Sequence, residues 1–173
     1  MIQLKIRTEY SFGQTFAPIS RVVQRLKDLG CKSAGIVDVN STWGHVAWFK
    51  ACKDAGIEPI LGIELSVDVD GSVAKMWFLA KNKQGLGELY SSVSKAHQTP
   101  YTTKSGSVPC MSENDVARMS ENIFKFAGET TNGEFLQSVG AIVDLCPSSV
   151  ILNMKKKQIA AKYGLRVVST SDN

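Results

Sequence analysis

The sequence predicts an α/β fold built on a mainly parallel sheet, and three observations carry that prediction. Short apolar runs of strand length alternate, along 173 residues, with segments whose apolar positions recur at helical spacing. The connections between them are short, and glycine or proline punctuates many of them. The strands follow one another with helices between, and a parallel connection needs such a crossover. Crossover helices lie outside a closed barrel or on both faces of an open sheet, and periodicity alone does not choose between the two.

Taken in order, Gln3 to Arg7 reads as the first strand. Pro18 is expected at the first position of a helix in which Ile19, Val22, Val23, Leu26 and Leu29 recur before Gly30 ends the run. Ser33 to Asp38 is a second strand, and a helix follows from Trp43 to Ala55, closed by Gly56. Pro59 to Val67 is a strand, and Asp70-Gly71 marks a hairpin turn into Val73 to Ala80. After Gly85 a helix carries Leu86, Leu89, Tyr90 and Val93, and residues 98–111, rich in Ser, Thr, Gly and Pro, read as a loop. Ser112-Glu113-Asn114-Asp115 has the pattern of a capped helix start. Asn122 to Ala127, Ser149 to Asn153 and Leu165 to Thr170 are expected as strands, separated by helices around 134–144 and 154–163.

Composition narrows the class. Hydrophobic residues make up 43% and charged residues 21%, ordinary for a globular chain, and 173 residues suit one core, so 1–173 is read as a single domain. No apolar run approaches the roughly 20 residues that span a bilayer. The start Met1-Ile2-Gln3-Leu4-Lys5 lacks the layout of a secretory signal, so a cytoplasmic protein with no membrane partner is expected. The four cysteines, Cys31, Cys52, Cys110 and Cys146, are far apart, which argues against a zinc finger and for reduced structural thiols. A net charge of +4 permits contact with nucleic acid without establishing it. The one dense basic cluster, Lys155-Lys156-Lys157, reads as a solvated helix face. Trp43, Trp48, Phe49 and Trp77 read as core or a protein-facing patch rather than a base-stacking platform.

Three segments then resemble a known family. Leu4-Lys5-Ile6-Arg7-Thr8-Glu9-Tyr10-Ser11 is similar to the opening motif HxH-T-E-Y-S of the polymerase-and-histidinol-phosphatase (PHP) domains in bacterial DNA polymerase III alpha subunits. Gly35-Ile36-Val37-Asp38-Val39-Asn40-Ser41 resembles the second motif, apolar-T-D-H-G-N, and Gly56-Ile57-Glu58-Pro59-Ile60-Leu61-Gly62-Ile63-Glu64 the third, G-I-x-P-I-x-G-x-E. Leu79-Ala80-Lys81-Asn82-Lys83-Gln84-Gly85 and the stretch from Ala161 to Asp172 extend the likeness, which is weakest from about residue 100 to 150. It implies a distorted, TIM-barrel-like (β/α)7 barrel with a polynuclear metal site at its strand C-termini. The chain stops at Asn173, inside the last motif, so the resemblance implies the N-terminal part of a longer polypeptide, truncated at its C-terminus.

The implied site is altered. Lys5 and Arg7 stand where the first motif has its two histidines, and Val39 stands where the second has its own, while Asp38, Glu64 and Asp172 match carboxylate positions. Lys and Arg offer a metal no lone pair and repel it, but can neutralise carboxylates in its place. Lys5, Arg7, Asp38, Val39, Glu64 and Asp172 are therefore read as vestigial metal-site positions, with no catalytic residue and no cofactor. The alternative keeps Mn, Zn or Mg on Asp38, Glu64 and Asp172. His45 and His97 match none of the family's ligands.

The resemblance thus implies an inactivated PHP-like domain serving structure and protein interaction in a C-family replicative polymerase. Its implied partners are the remainder of that polymerase and a proofreading exonuclease, with DNA reached only through the polymerase. The competing functions are an active metal-dependent phosphoesterase or 3′–5′ exonuclease, and a free-standing phage or plasmid protein that modulates a polymerase.

Overall fold

The computed structural model describes residues 1–103, 106–130, 132–146 and 149–170. The first half follows the expected alternation: β1 (Ile2–Ile6), α1 (Ile19–Asp28), β2 (Ser33–Val39), α2 (His45–Asp54), β3 (Glu58–Val69), β4 (Ser72–Ala80) and α3 (Lys83–Gln98). Then come β5 (Tyr101–Thr103), β6 (Gly106–Val108), β7 (Cys110–Ser112), α4 (Glu113–Arg118), β8 (Ile123–Phe126), α5 (Gly133–Ser138), β9 (Val143–Leu145), α6 (Val150–Tyr163) and β10 (Val167–Ser169).

β1, β2 and β3 pair in parallel, β4 runs antiparallel to β3, and β8 antiparallel to β4. The Phe126–Ile142 bridge leads on to the parallel pair of β9 and β10. The antiparallel excursion is the predicted hairpin. Asp70 and Gly71 both take positive φ, 51° and 77°, as a two-residue turn matched to strand twist requires. The sheet curls. Leu4, Val37, Ile60, Trp77, Leu79, Phe126, Ile142 and Val168 form one apolar cluster, although they come from strands spread along the whole path. Trp77 and Phe126, directly paired across β4 and β8, stack with ring centroids 3.5 Å apart. A second cluster packs α1 and α2 against β1 and β2, and the largest packs α3 to α6 against the rest.

Four expectations are corrected. The loop over 98–111 contains strands: Cys110 and Met111 are buried, and β7 pairs in parallel with Ser66–Asp68 of β3, beyond the reach of β2. The helix around 134–144 stops at Ser138, Gly140 turns the chain at φ 62°, and Val143–Leu145 is a strand. Ser149 to Asn153 is not a strand. Its β-branched Val150 and Ile151 belong to the first turn of α6, and the Ser149 side chain accepts from the Leu152 amide as N-cap. Pro18 is also one position earlier than expected, at the N-cap of α1, and the free Ile19 amide donates to the Glu9 carboxylate at 2.8 Å.

Candidate functional site

The loop after β1 and the end of β2 build a tight polar clamp. Asp38 is fully buried, and its Oδ1 accepts from the Thr8 amide at 2.6 Å and from Ser11 Oγ at 2.7 Å. Its Oδ2 accepts from Thr8 Oγ1 at 2.8 Å. Three donors satisfy an ionised carboxylate in a dry setting, where an unpaired one would be very costly. Gly44 makes room for this clamp: a Cβ there would sit 2.8 Å from Asp38 Oδ2 and 3.0 Å from the Tyr10 ring. The T-E-Y-S segment is therefore accounted for within the fold. Thr8 and Ser11 hold Asp38, Glu9 caps α1, and Tyr10 packs against the α1–α2 cluster.

On the other face of the sheet lies an ion cluster. Side chains alternate along a strand, so Glu64 faces away from Ile63 and Leu65, which pack in the large core, and points inward. Arg7 Nη2 donates to Glu64 Oε2 at 2.6 Å, and Lys75 Nζ lies 3.6 Å from Glu64 Oε1. Asp144 of β9 is the second buried carboxylate. It accepts from Lys156 Nζ at 2.9 Å and from Trp77 Nε1 at 3.0 Å, with Lys5 Nζ at 3.9 Å. Lys156 also donates to the Asp144 main-chain oxygen at 2.7 Å. A cavity of about 210 Å³ is lined by Lys5, Arg7, Glu64, Lys75, Asp144 and Lys156 among others. The Lys5–Asp144 contact joins strands far apart in the sheet order, which only a curled sheet allows.

The structure thus brings Lys5, Arg7 and Glu64 to one cavity and places Asp38 elsewhere, on the outward side of β2. Val39 lines a different cavity, with Phe12, Asn40 and Trp43. Asp172 lies outside the described residues. Asp144, Lys156 and Lys75 were not singled out from the sequence. Lys156 corrects the reading of 155–157 as a solvated face: Lys155 and Lys157 are exposed, but helical spacing aligns Lys156 with buried Ala160, facing inward. That periodicity was the available signal.

His45 and His97 are both hydrogen-bonded within the fold. His45 is buried, and its Nε2 donates to the Gly62 carbonyl at 2.9 Å, which leaves Nδ1 to accept from the Tyr90 hydroxyl at 3.3 Å. Burial holds its pKa below the ordinary value, although the Gly62 hydrogen bond and Asp38 pull the other way. His97 donates from Nε2 to the Asn40 carbonyl at 2.9 Å. Asn40 itself takes φ 55°, a left-handed conformation that asparagine tolerates.

These residues do not fit a divalent cation. Among the described residues, no group of three or more His, Cys, Asp or Glu converges on a point. Glu64 and Asp144 are each engaged by cations, and Asp38 by three uncharged donors.

A curled, mainly parallel sheet with helices outside it and a cluster of charged side chains on its inward face defines a TIM-barrel-like α/β protein. A profile of the PHP domain family matches residues 3–166, and the chain belongs to that family. The chain is similar to DNA polymerase III subunit alpha of Escherichia coli K12, 25% identical over 151 residues that cover 84% of this chain and 13% of the relative. The same subunit of Pseudomonas fluorescens is 30% identical over 97 residues, 54% of this chain and 8% of the relative. That of Streptococcus pyogenes is 29% identical over 87 residues, 50% of this chain and 8% of the relative. The chain therefore spans well under a fifth of the length of these relatives.

Two solved structures share the fold. A Bifidobacterium adolescentis protein assigned as a metal-dependent phosphoesterase matches with a TM-score of 0.66 at 12% identity, over 98% of this chain and 85% of that one. An amidohydrolase from Chromobacterium violaceum, solved with bound sulfate and no metal, matches with a TM-score of 0.67 at 15% identity, over 99% and 86%.

Proposed function

We propose that this chain is the PHP module of a DNA polymerase III alpha-type polymerase, in which ion pairs have taken the place of metal chemistry. It then serves structure and protein interaction rather than phosphoester hydrolysis. The observation that carries this reading is the 2.6 Å pair between Arg7, at a histidine position of the opening motif, and Glu64, at a carboxylate position of the third. A guanidinium cannot ligate a metal, and its charge raises the free energy of any divalent ion placed beside it. Lys5 and Lys156 do the same at Asp144. A phosphoesterase site needs the opposite arrangement, with lone-pair donors around an open metal position.

The partners that follow are the remainder of the polymerase and a proofreading exonuclease, with DNA reached through the polymerase. Elemental analysis after exposure to Mn²⁺ and Zn²⁺, with 4-nitrophenyl phosphate and 3′-terminal DNA hydrolysis assays, tests the reading. The expected result is no stoichiometric metal and no turnover. One tightly held metal per chain, with hydrolysis that Glu64→Gln or Asp144→Asn abolishes, would overturn it.

A further inference from the structure

α2 is apolar on two sides. His45, Trp48 and Cys52, spaced for one helix face, are buried against the barrel. Val46, Phe49, Lys50 and Lys53 follow the i, i+3, i+4, i+7 spacing of the outer face, and Trp43 stands in the turn just before. Three of these are large apolar side chains left in water: Trp43 is 71% exposed, Val46 81% and Phe49 48%. Phe12 from the loop after β1, 68% exposed, sets its ring edge-on to Trp43 at 5.7 Å. Scattered apolar residues on a surface need no explanation, but a contiguous stripe on a helix already buried on its other face does.

We propose that this stripe is a docking face for an amphipathic protein helix that presents a carboxylate to Lys50. Charge selects that occupant. Lys53 is paired with Glu58 at 2.6 Å, whereas Lys50, exposed in the middle of the stripe, has no carboxylate within ion-pair reach among the described residues. The chain's net charge of +4 favours an acidic partner over a second copy of itself. A nucleic acid would need a run of cations along its backbone track, and this stripe offers only Lys50 and Lys53, the latter already paired with Glu58. A cavity of about 640 Å³, lined by Phe12, Trp43 and His97 among others, opens beside Trp43 and can take one large apolar anchor. The inference stands on the outer surface alone and holds whether or not the barrel mouth is catalytic.

The test is selection from a random-sequence peptide display library on the folded chain, then anisotropy titration of the enriched peptides. Expected sequences carry apolar residues at helical spacing plus Asp or Glu. Binding should fall at least tenfold with Val46→Asp and several-fold with Lys50→Glu, and a peptide with its acid exchanged for lysine should recover affinity for Lys50→Glu. Both substitutions are at exposed positions, and unchanged circular dichroism melts would show the fold intact. Failure to enrich any peptide, equal binding to Val46→Asp, or no charge-swap recovery would overturn the proposal. So would a dimer in sedimentation equilibrium that Val46→Asp dissolves, which would make the occupant a second copy. Oligo(dT) binding lost with Val46→Asp would make it a nucleic acid.

Discussion

Replacing Lys156 with methionine keeps the length of the side chain and removes its charge, which isolates what that charge does inside the barrel. Lys156 is 3% exposed and its partner Asp144 1%, so bulk solvent does little to screen the pair. Asp144 would keep its bond from Trp77 Nε1 at 3.0 Å and Lys5 at 3.9 Å, but lose the 2.9 Å bond to Oδ1. Its main-chain oxygen would lose the 2.7 Å bond as well. Removing one member of a buried ion pair typically costs roughly 3–5 kcal/mol. Lys5 still attracts the carboxylate, so the lower end, about 3 kcal/mol, is expected for Lys156→Met.

For a chain of this size that corresponds to a fall in Tm of roughly 6–12 °C. Urea unfolding followed by tryptophan fluorescence measures it directly, since Trp77 is bonded to the same carboxylate. Lys156→Met combined with Asp144→Asn should be less destabilised than the two single changes added together, by about 1–3 kcal/mol. The exposed pair Lys53–Glu58 supplies the control, and Lys53→Met should shift stability by less than about 1 kcal/mol. A Lys156→Met chain that unfolds with the parent, or a strictly additive double variant, would refute the view that the buried cation is what Asp144 requires.

Three further outcomes follow from the same geometry. Arg7→Ala should destabilise by about 1–3 kcal/mol in urea unfolding, less than Lys156→Met, because Arg7 is partly exposed and Lys75 remains 3.6 Å from Glu64; chelator or added Mn²⁺ should leave both midpoints unchanged. Thr8→Val keeps the shape but removes the hydroxyl that donates to Asp38 Oδ2 at 2.8 Å, and a loss of about 1–3 kcal/mol is expected by thermal melting, while an unchanged melt would show that oxygen needs no donor. His45 has its folded pKa below the ordinary 6.5, so the unfolded chain binds the extra proton first; its contribution is intact above about pH 6.5 and is lost as pH falls towards the folded value, and His45→Gln should flatten that part of a Tm–pH curve.

The first half of the fold was legible because each element carried its own local signal. Asp70-Gly71 fixed the hairpin through turn chemistry, and the repeat from Ile19 to Leu29 marked α1. The second half was less legible where two signals competed. Val150-Ile151-Leu152 has strand composition, but Ser149 caps a helix there, and the helical stretch after Asn132 lasts only until Gly140 allows a turn. β7 has no periodicity of its own and is a strand because β3 overhangs β2 and leaves an edge to be paired. Of the site, the Arg7 and Glu64 positions could be read from motif order, whereas Asp144 lies in the stretch of weakest resemblance and Lys156 just beyond it, in none of the matching motifs. Their meeting is tertiary: it depends on where the curled sheet brings β9 opposite β1.

Strand alternation separates two roles within one motif. Asp38 belongs to the outward side of β2 and is held by Thr8 and Ser11, whereas Arg7 reaches Glu64 on the inward side of β3. The hydroxyl clamp fastens the first loop to the second strand by hydrogen bonds alone, so it survives any change of charge at the inward positions. The inward positions are coupled to one another instead. Glu64 is shared by Arg7 and Lys75, and Asp144 by Lys5 and Lys156, so no single exchange frees a carboxylate for a metal. Lys5→His and Arg7→His together would still leave Lys156 2.9 Å from Asp144 and Lys75 3.6 Å from Glu64, both beside any incoming cation. A buried carboxylate stripped of every partner is destabilising until the metal arrives, and a metal that arrives before the last lysine has gone meets a like charge at close range. On the proposed reading, each intermediate between the two arrangements therefore lies uphill, which gives the ion-paired cluster a physical reason to persist.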